Sequence, residues 1–175
     1  MSAEIAERTR PVAEALERLD TIPGVGRRTA EILVAEIGTD MGRFPTAGHL
    51  ASWAGMCPGQ RESAGKRRSG KTRKGDVWLR LVLVEAAHAV GRSKGTYLAA
   101  QYRRLAARRG AKKAAVAVGH SILVIAHHLL KNPDVYRDLG PGYFDDRDCQ
   151  RLQQRLVHRL EGLGYTVTLE ATPAA

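Results

Sequence analysis

Cys57-Pro58-Gly59-Gln60-Arg61-Glu62-Ser63-Ala64-Gly65-Lys66-Arg67-Arg68-Ser69-Gly70-Lys71-Thr72-Arg73-Lys74-Gly75-Asp76-Val77-Trp78-Leu79-Arg80 is the stretch from which the rest of the chain is read. Between Arg61 and Asp76 its one apolar side chain is Ala64, so this glycine-rich loop has nothing to bury. It carries Arg61, Lys66, Arg67, Arg68, Lys71, Arg73 and Lys74. Like charges at this density repel one another until a polyanion neutralises them, and a phosphate backbone is the simplest such partner. The character changes abruptly at Val77. Val77 to Val90 is apolar around most of a helical circumference, with Asp76 placed to cap it, which predicts a central helix.

The chain on either side of this loop reads as helices. Upstream, Thr46 is placed to cap a short helix of Ala47, His49, Leu50, Trp53 and Ala54, with Leu50 and Trp53 spaced to face a core. Downstream, Tyr97 to Arg109 sets Leu98, Tyr102 and Leu105 on one face and Arg103, Arg104, Arg108 and Arg109 on the other. No acid lies between Arg92 and Lys113, so this face is read as a second phosphate contact. Ala111 to Lys131 is a long apolar helix stopped by Asn132-Pro133. Its uncharged part, Ala114 to Leu130, contains His120, Ser121, His127 and His128 and is short for a bilayer span. A buried helix is therefore expected in preference to a membrane one.

Near the N-terminus, residues 2 to 19 carry Ile5, Val12, Leu16 and Leu19 at helical spacing. Pro11 marks a kink or the start of a second helix. Leu19-Asp20-Thr21-Ile22-Pro23-Gly24-Val25-Gly26-Arg27-Arg28-Thr29-Ala30 follows, and then an apolar helical run through Ile37. Gly24 and Gly26 permit a tight turn that Val25 pins to the core, a pattern that resembles the helix-hairpin-helix of DNA repair and recombination proteins. In that motif the amides opening the second helix face a phosphate, here with Arg27 and Arg28 beside them. At the other end, Pro141 to Asp146 is a loop and Arg147 to Leu163 an amphipathic helix bearing Leu152, Leu156, Val157, Leu160 and Leu163. Tyr165 to Leu169 is a weak strand or a frayed tail.

The formal charge of +10 is concentrated. Arg61 to Lys113 holds 16 Lys and Arg against Glu62, Asp76 and Glu85, a net +13 that leaves −3 for everything else. Such asymmetry points to nucleic acid or an anionic membrane. A long basic amphipathic helix with aromatic anchors is missing, which favours nucleic acid. Cys57 and Cys149 fit no metal-ligand spacing and read as free thiols of a reducing compartment. Met1 to Arg10 is charged and shows no secretory pattern. Glu85 and His88 are one helical step apart but lack partners for a metal, and Ser121 is expected to bond back to a helix carbonyl.

Five motifs in order carry a family resemblance: the Gly24-Val25-Gly26 turn, Trp53 to Pro58, Glu62 to Lys66, Lys74 to Asp76, and Trp78-Leu79-Arg80 with Glu85-Ala86-Ala87. Together, over roughly Leu16 to Pro133, they resemble the C-terminal transposase domain of bacterial insertion-sequence transposases of the IS-one-ten type, the RNA-guided bridge recombinases. The resemblance implies DNA recombination by a serine nucleophile. It also implies a structured guide RNA, dimers or tetramers, and a separate RuvC-like nuclease domain whose carboxylates hold magnesium. The family's serine falls on Ser63, with Ser69 as the rival. The family's N-terminal nuclease-like domain, with its four acidic residues, would not fit before Leu16, so a truncated transposase or an excised domain is expected.

The expectation is thus a mainly α domain with a helix-hairpin-helix, a basic glycine-rich loop and little or no β. Residues 1–18 form an N-terminal helix, 19–133 the transposase-like region and 134–175 a helical extension. Ser63 is the expected catalytic residue. Gly24, Gly26, Arg27, Arg28, Arg61, Lys66, Arg67, Arg68, Lys71, Arg73, Lys74, Arg103, Arg104, Arg108 and Arg109 are expected to hold nucleic acid. The chain itself is expected to bind no metal, with magnesium entering only through the carboxylate domain. DNA, guide RNA, and a second copy or a nuclease-like domain in trans are the expected partners, in a bacterial cytoplasm. The alternative reading is a non-catalytic helix-hairpin-helix module or a decayed remnant.

Overall fold

In the computed structural model, which describes residues 10–59, 61–132 and 134–170, the apolar run after the basic stretch is indeed the axis of the fold. The helices are α1 (Ala13–Asp20), α2 (Arg27–Ile37), α3 (Ala47–Trp53), α4 (Val77–Arg92), α5 (Tyr97–Arg109), α6 (Ala111–Lys131) and α7 (Tyr143–Glu161). Single 3-10 turns, Arg10–Val12 and Met41–Arg43, precede α1 and α3. The chain divides into a unit ending at Pro141 and a unit beginning at Gly142.

α4 and α6 form the centre of the first unit. Leu79, Leu83, Ala87 and Val90 of α4 meet Val118, Ile122, Leu123 and Ala126 of α6, all fully buried. Gly119 lets the two backbones close up, because a methyl group there would lie 3.1 Å from the Leu83 carbonyl oxygen and 2.9 Å from the Met56 side chain. α5 folds back along α6 through the Gly110 turn, and Gln101 Nε2 donates to Ser121 Oγ at 3.0 Å. That hydroxyl donates in turn to Ala117 O, as a serine inside an apolar helix is expected to do. α6 is long and apolar enough to cross a membrane by length and composition, yet half of its most apolar window is buried in this unit. His127 is buried with Nε2 on Phe44 O at 2.9 Å, and His128 beside it is exposed.

Capping follows the local chemistry. Thr46, Asp76 and Thr96 each accept from the backbone N–H three residues on, at the starts of α3, α4 and α5. Several sequence expectations are adjusted. α1 begins at Ala13, because Pro11 starts a turn better than it continues a helix; the part of that expectation on residues 1–9 lies outside the described residues. Leu50 is buried as expected, but Trp53 is 42% exposed and rests its inner side on Phe44, 5.4 Å between ring centres. α7 starts at Tyr143, four residues before the expected Arg147, with Asp145 and Asp146 in its first turn where the helix dipole favours acids. Residues 165–170 are not a strand. Within the second unit, Leu156, Leu160 and Leu163 stay exposed.

The largest adjustment concerns the basic loop. It is an antiparallel hairpin of β1 (Arg61–Ser63) and β2 (Lys66–Ser69), with Ser63 paired to Lys66, Glu62 to Arg67 and Arg61 to Ser69. The skipped position between the last two pairs is a bulge. Ala64 and Gly65 turn the chain with φ of 51° and 72°, the two positive values that a tight two-residue turn with right-handed twist demands. At Ala64 that geometry costs about 1 kcal/mol relative to glycine.

Candidate nucleic-acid interface

The hairpin stands on a foot made of main chain. Gly59 N–H donates to Lys71 O at 3.0 Å, and Pro58 lies in bridge register with Thr72. Below them, Gly55 and Gly75 touch: a methyl group on Gly75 would lie 2.3 Å from Gly55 N and 2.4 Å from Ala54 C. One guanidinium locks the two sides. Arg80 Nη2 donates to Gly55 O and to Arg73 O, each at 2.7 Å, so a side chain from α4 ties the strand entering the hairpin to the strand leaving it. Charge-assisted bonds of this kind contribute about 1.5–3 kcal/mol. Arg80 belongs to one of the sequence motifs, but its role does not show there, since its partners lie 25 and 7 residues away.

Ser63 closes β1, four residues beyond the Gly59 rung, which puts it about 13 Å out from the foot. It is exposed, as are its cross-strand partner Lys66 and its neighbour Glu62. Lys71, Arg73 and Lys74 are exposed on the returning strand; Arg61, Arg67 and Arg68 occupy register or bulge positions on the hairpin. A phosphodiester brought against the hairpin would therefore meet a primary hydroxyl and an ammonium group side by side.

The second group lies on the α1–α2 turn. Gly24, at φ 83°, lies so close to α4 that a methyl group there would be 2.7 Å from Ala86 O and 2.4 Å from Val90, so this glycine serves close packing. Gly26 faces open space and opens α2 without any side-chain cap, which leaves the first amides of that helix to an anion or to water. Arg28 is exposed, whereas Arg27 Nε is 3.3 Å from Glu31. An open groove of about 560 Å³ runs from Gly24 and Thr29 along Glu85, His88 and Arg92. The third group, Arg103, Arg104, Arg108 and Arg109, is exposed on α5, with Arg103 donating to Ser93 O at 3.2 Å.

These groups are not one cluster. α2 lies beside α4 with its start at Ala86 and Val90 and its last turn at Asp76, where Glu36 and Asp76 share a side-chain hydrogen bond. The α2 amides and the hairpin foot thus occupy opposite ends of the helix pair, about 12 Å apart along the axis. Burial, and then the charge and hydrogen bond of Asp76, push the Glu36 carboxyl above its usual pKa range. Asp76 meanwhile caps α4 through Oδ1, 2.8 Å from Leu79 N. Among the described residues no three of His, Cys, Asp and Glu gather as a metal site, and this pair is already committed to capping and to each other. Among the described residues, this pair does not fit a magnesium ion. Glu85 is exposed, and His88 is engaged by the Tyr102 hydroxyl at 3.1 Å.

Comparison with known proteins adds to this geometry. The family model described as Transposase IS116/IS110/IS902 family matches residues 16–103, half of the chain. “Probable family 20 transposase” of Pseudomonas aeruginosa is 32% identical over 126 residues, 70% of this chain and 37% of the relative. “Transposase for insertion sequence element IS1111A” of Coxiella burnetii is 33% identical over 138 residues, 75% of this chain and 38% of the relative. “Insertion element IS110 uncharacterized 43.6 kDa protein” of Streptomyces coelicolor is 51% identical over a 45-residue stretch, 26% of this chain and 11% of the relative. The chain spans a little over a third of the length of the first two relatives.

Proposed function

This chain belongs to the Transposase IS116/IS110/IS902 family, and from that premise we propose that it is the part of an insertion-sequence transposase that grips nucleic acid and offers Ser63 to a DNA phosphodiester. The observation that carries the proposal is the hairpin: an exposed serine beside Lys66, held well clear of the core on a main-chain foot that the Arg80 guanidinium ties together. The uncapped start of α2 and the arginine face of α5 hold further phosphates.

In the reaction, Ser63 Oγ attacks phosphorus as its proton passes to a base. A serine–phosphate ester forms as one strand P–O bond breaks, and the departing sugar oxygen takes up a proton. Lys66 and its cationic neighbours offset charge on the phosphoryl oxygens. They do not provide the base or the metal. Those come from an acidic nuclease-like domain elsewhere in the transposase or in a second copy, within an assembly that also holds a structured guide RNA in the bacterial cytoplasm. Guide pairing would carry target choice, since phosphate contacts read no sequence.

The test supplies that acidic domain in trans with magnesium and a cognate element end. The proposal requires strand transfer that disappears in Ser63→Ala while DNA affinity persists. Retained transfer in that variant, with loss in Ser69→Ala, would move the nucleophile to the rival serine. A second reading is favoured by the tight α1–α2 turn and its open amides: a non-catalytic helix-hairpin-helix module. It predicts DNA binding that no complementation converts into strand transfer.

A further inference from the structure

The chain has two tryptophans, and neither is buried: Trp78 is 66% and Trp53 42% exposed. Tryptophan is among the most costly side chains to leave in water and is highly buried on average. Both stand at the foot of the hairpin, Trp53 two residues before Gly55 and Trp78 three residues after Gly75. Trp53 packs against Phe44 with the two rings tilted by 52°. Trp78 is flanked instead by Val77 at 75% and Leu81 at 50% exposure in the first turns of α4, with exposed Arg73 and Lys74 just before them. Asp76, the nearest acid in sequence, is half-buried and turned to the α4 amides and Glu36.

An aromatic face beside phosphate-binding cations is the composition of surfaces that hold unpaired strands, where the cations track the backbone and the ring stacks on a base. We propose that Trp78 is a stacking platform for an unpaired nucleobase, DNA or RNA, whose flanking phosphates lie on Arg73 and Lys74. Charge decides between this occupant and another protein. An apolar protein patch gains nothing from two adjacent cations, whereas a strand carrying one charge per nucleotide is drawn to them. The inference rests on the nucleic-acid reading of the hairpin and deepens it: this end of the molecule takes an opened strand in preference to a closed duplex, in which every base face is already stacked.

Trp53→Phe leaves Trp78 as the sole indole reporter in the full chain. Titrating that variant with oligo-dT, oligo-U and a duplex of equal length is expected to quench its fluorescence with the single strands and not with the duplex. The ratio of the dT and U affinities identifies the preferred strand. Trp78→Ala is expected to weaken single-strand binding about 5- to 50-fold and Trp78→Phe to restore most of it, with the thermal melt unchanged because the ring is exposed. Equal duplex binding without quenching, or unchanged affinity in Trp78→Ala, overturns the inference and leaves the phosphate grip standing. A Trp78→Ala variant that alters oligomeric mass but not affinity makes the patch a protein interface. Binding to none of the three probes overturns the nucleic-acid reading as well.

Discussion

Helix α6 and the β1–β2 hairpin are built on opposite terms. α6 buries Ala114, Ala115, Val118, Ile122, Leu123 and Ala126 to 1% exposure or less, and its place is set by side-chain volume against α4 and α5. The hairpin has exposed side chains from Glu62 to Lys66, and its place is set by main-chain contacts and one guanidinium at its foot. Stability and chemistry are therefore lodged in separate regions. Substitutions in one should be silent in the readout of the other.

The largest expected effect is on the chemical side. Ser63→Ala should lower complemented strand transfer at least about a thousandfold while leaving melting temperature and DNA affinity unchanged. If it also destabilised the fold, the separation would be broken. Its mirror image is Ile122→Ala, expected to cost about 2–5 kcal/mol in urea unfolding through lost burial and the cavity left behind. DNA affinity per folded molecule should not move. Arg80→Ala lies on the boundary, with an expected stability loss of about 1.5–3 kcal/mol and slower strand transfer with Ser63 intact. Arg80→Lys should recover part of this, since one ammonium reaches two diverging carbonyls less well than a planar fork.

Smaller effects sharpen the contrast. Each of Lys66→Ala, Arg73→Ala and Lys74→Ala should reduce the slope of log affinity against log salt by about 0.9, from about −5 if some six phosphates are neutralised, without shifting the melt. Glu36→Gln should act in the other direction. Because the folded state holds the Glu36 proton more tightly than the unfolded chain, its contribution is present below the ordinary pKa of 4.5 and is lost as pH rises through the raised folded value. The variant should therefore melt slightly higher at pH 7 and show no gain below pH 4.5.

The helices were legible because their signals are local. Asp76, Thr46 and Gly110 mark ends by their own chemistry, and the apolar repeats of α4, α5 and α6 report which faces are buried. In sequence the hairpin looks like a loop because its strands carry Lys, Arg and Glu, which have little preference for sheet, and because Ala64 stands where a turn of this type normally advertises itself with Asn or Gly. The cationic residues could be named individually, but their division into three groups arises from the way α2 lies along α4. Arg80 escaped for the same reason, since an arginine in an apolar helix gives no sign of which carbonyls it will find.

The contact between Gly55 and Gly75 has a practical corollary. Since the attachment reads peptide atoms and no side chain of the projecting arm, the arm can be lengthened without redesigning its mounting. Adding two residues to each strand should carry the reactive hydroxyl about 7 Å farther out while the mounting stays as it is. A graded set of such insertions would serve as a ruler for the gap between that hydroxyl and whatever acidic machinery completes the reaction.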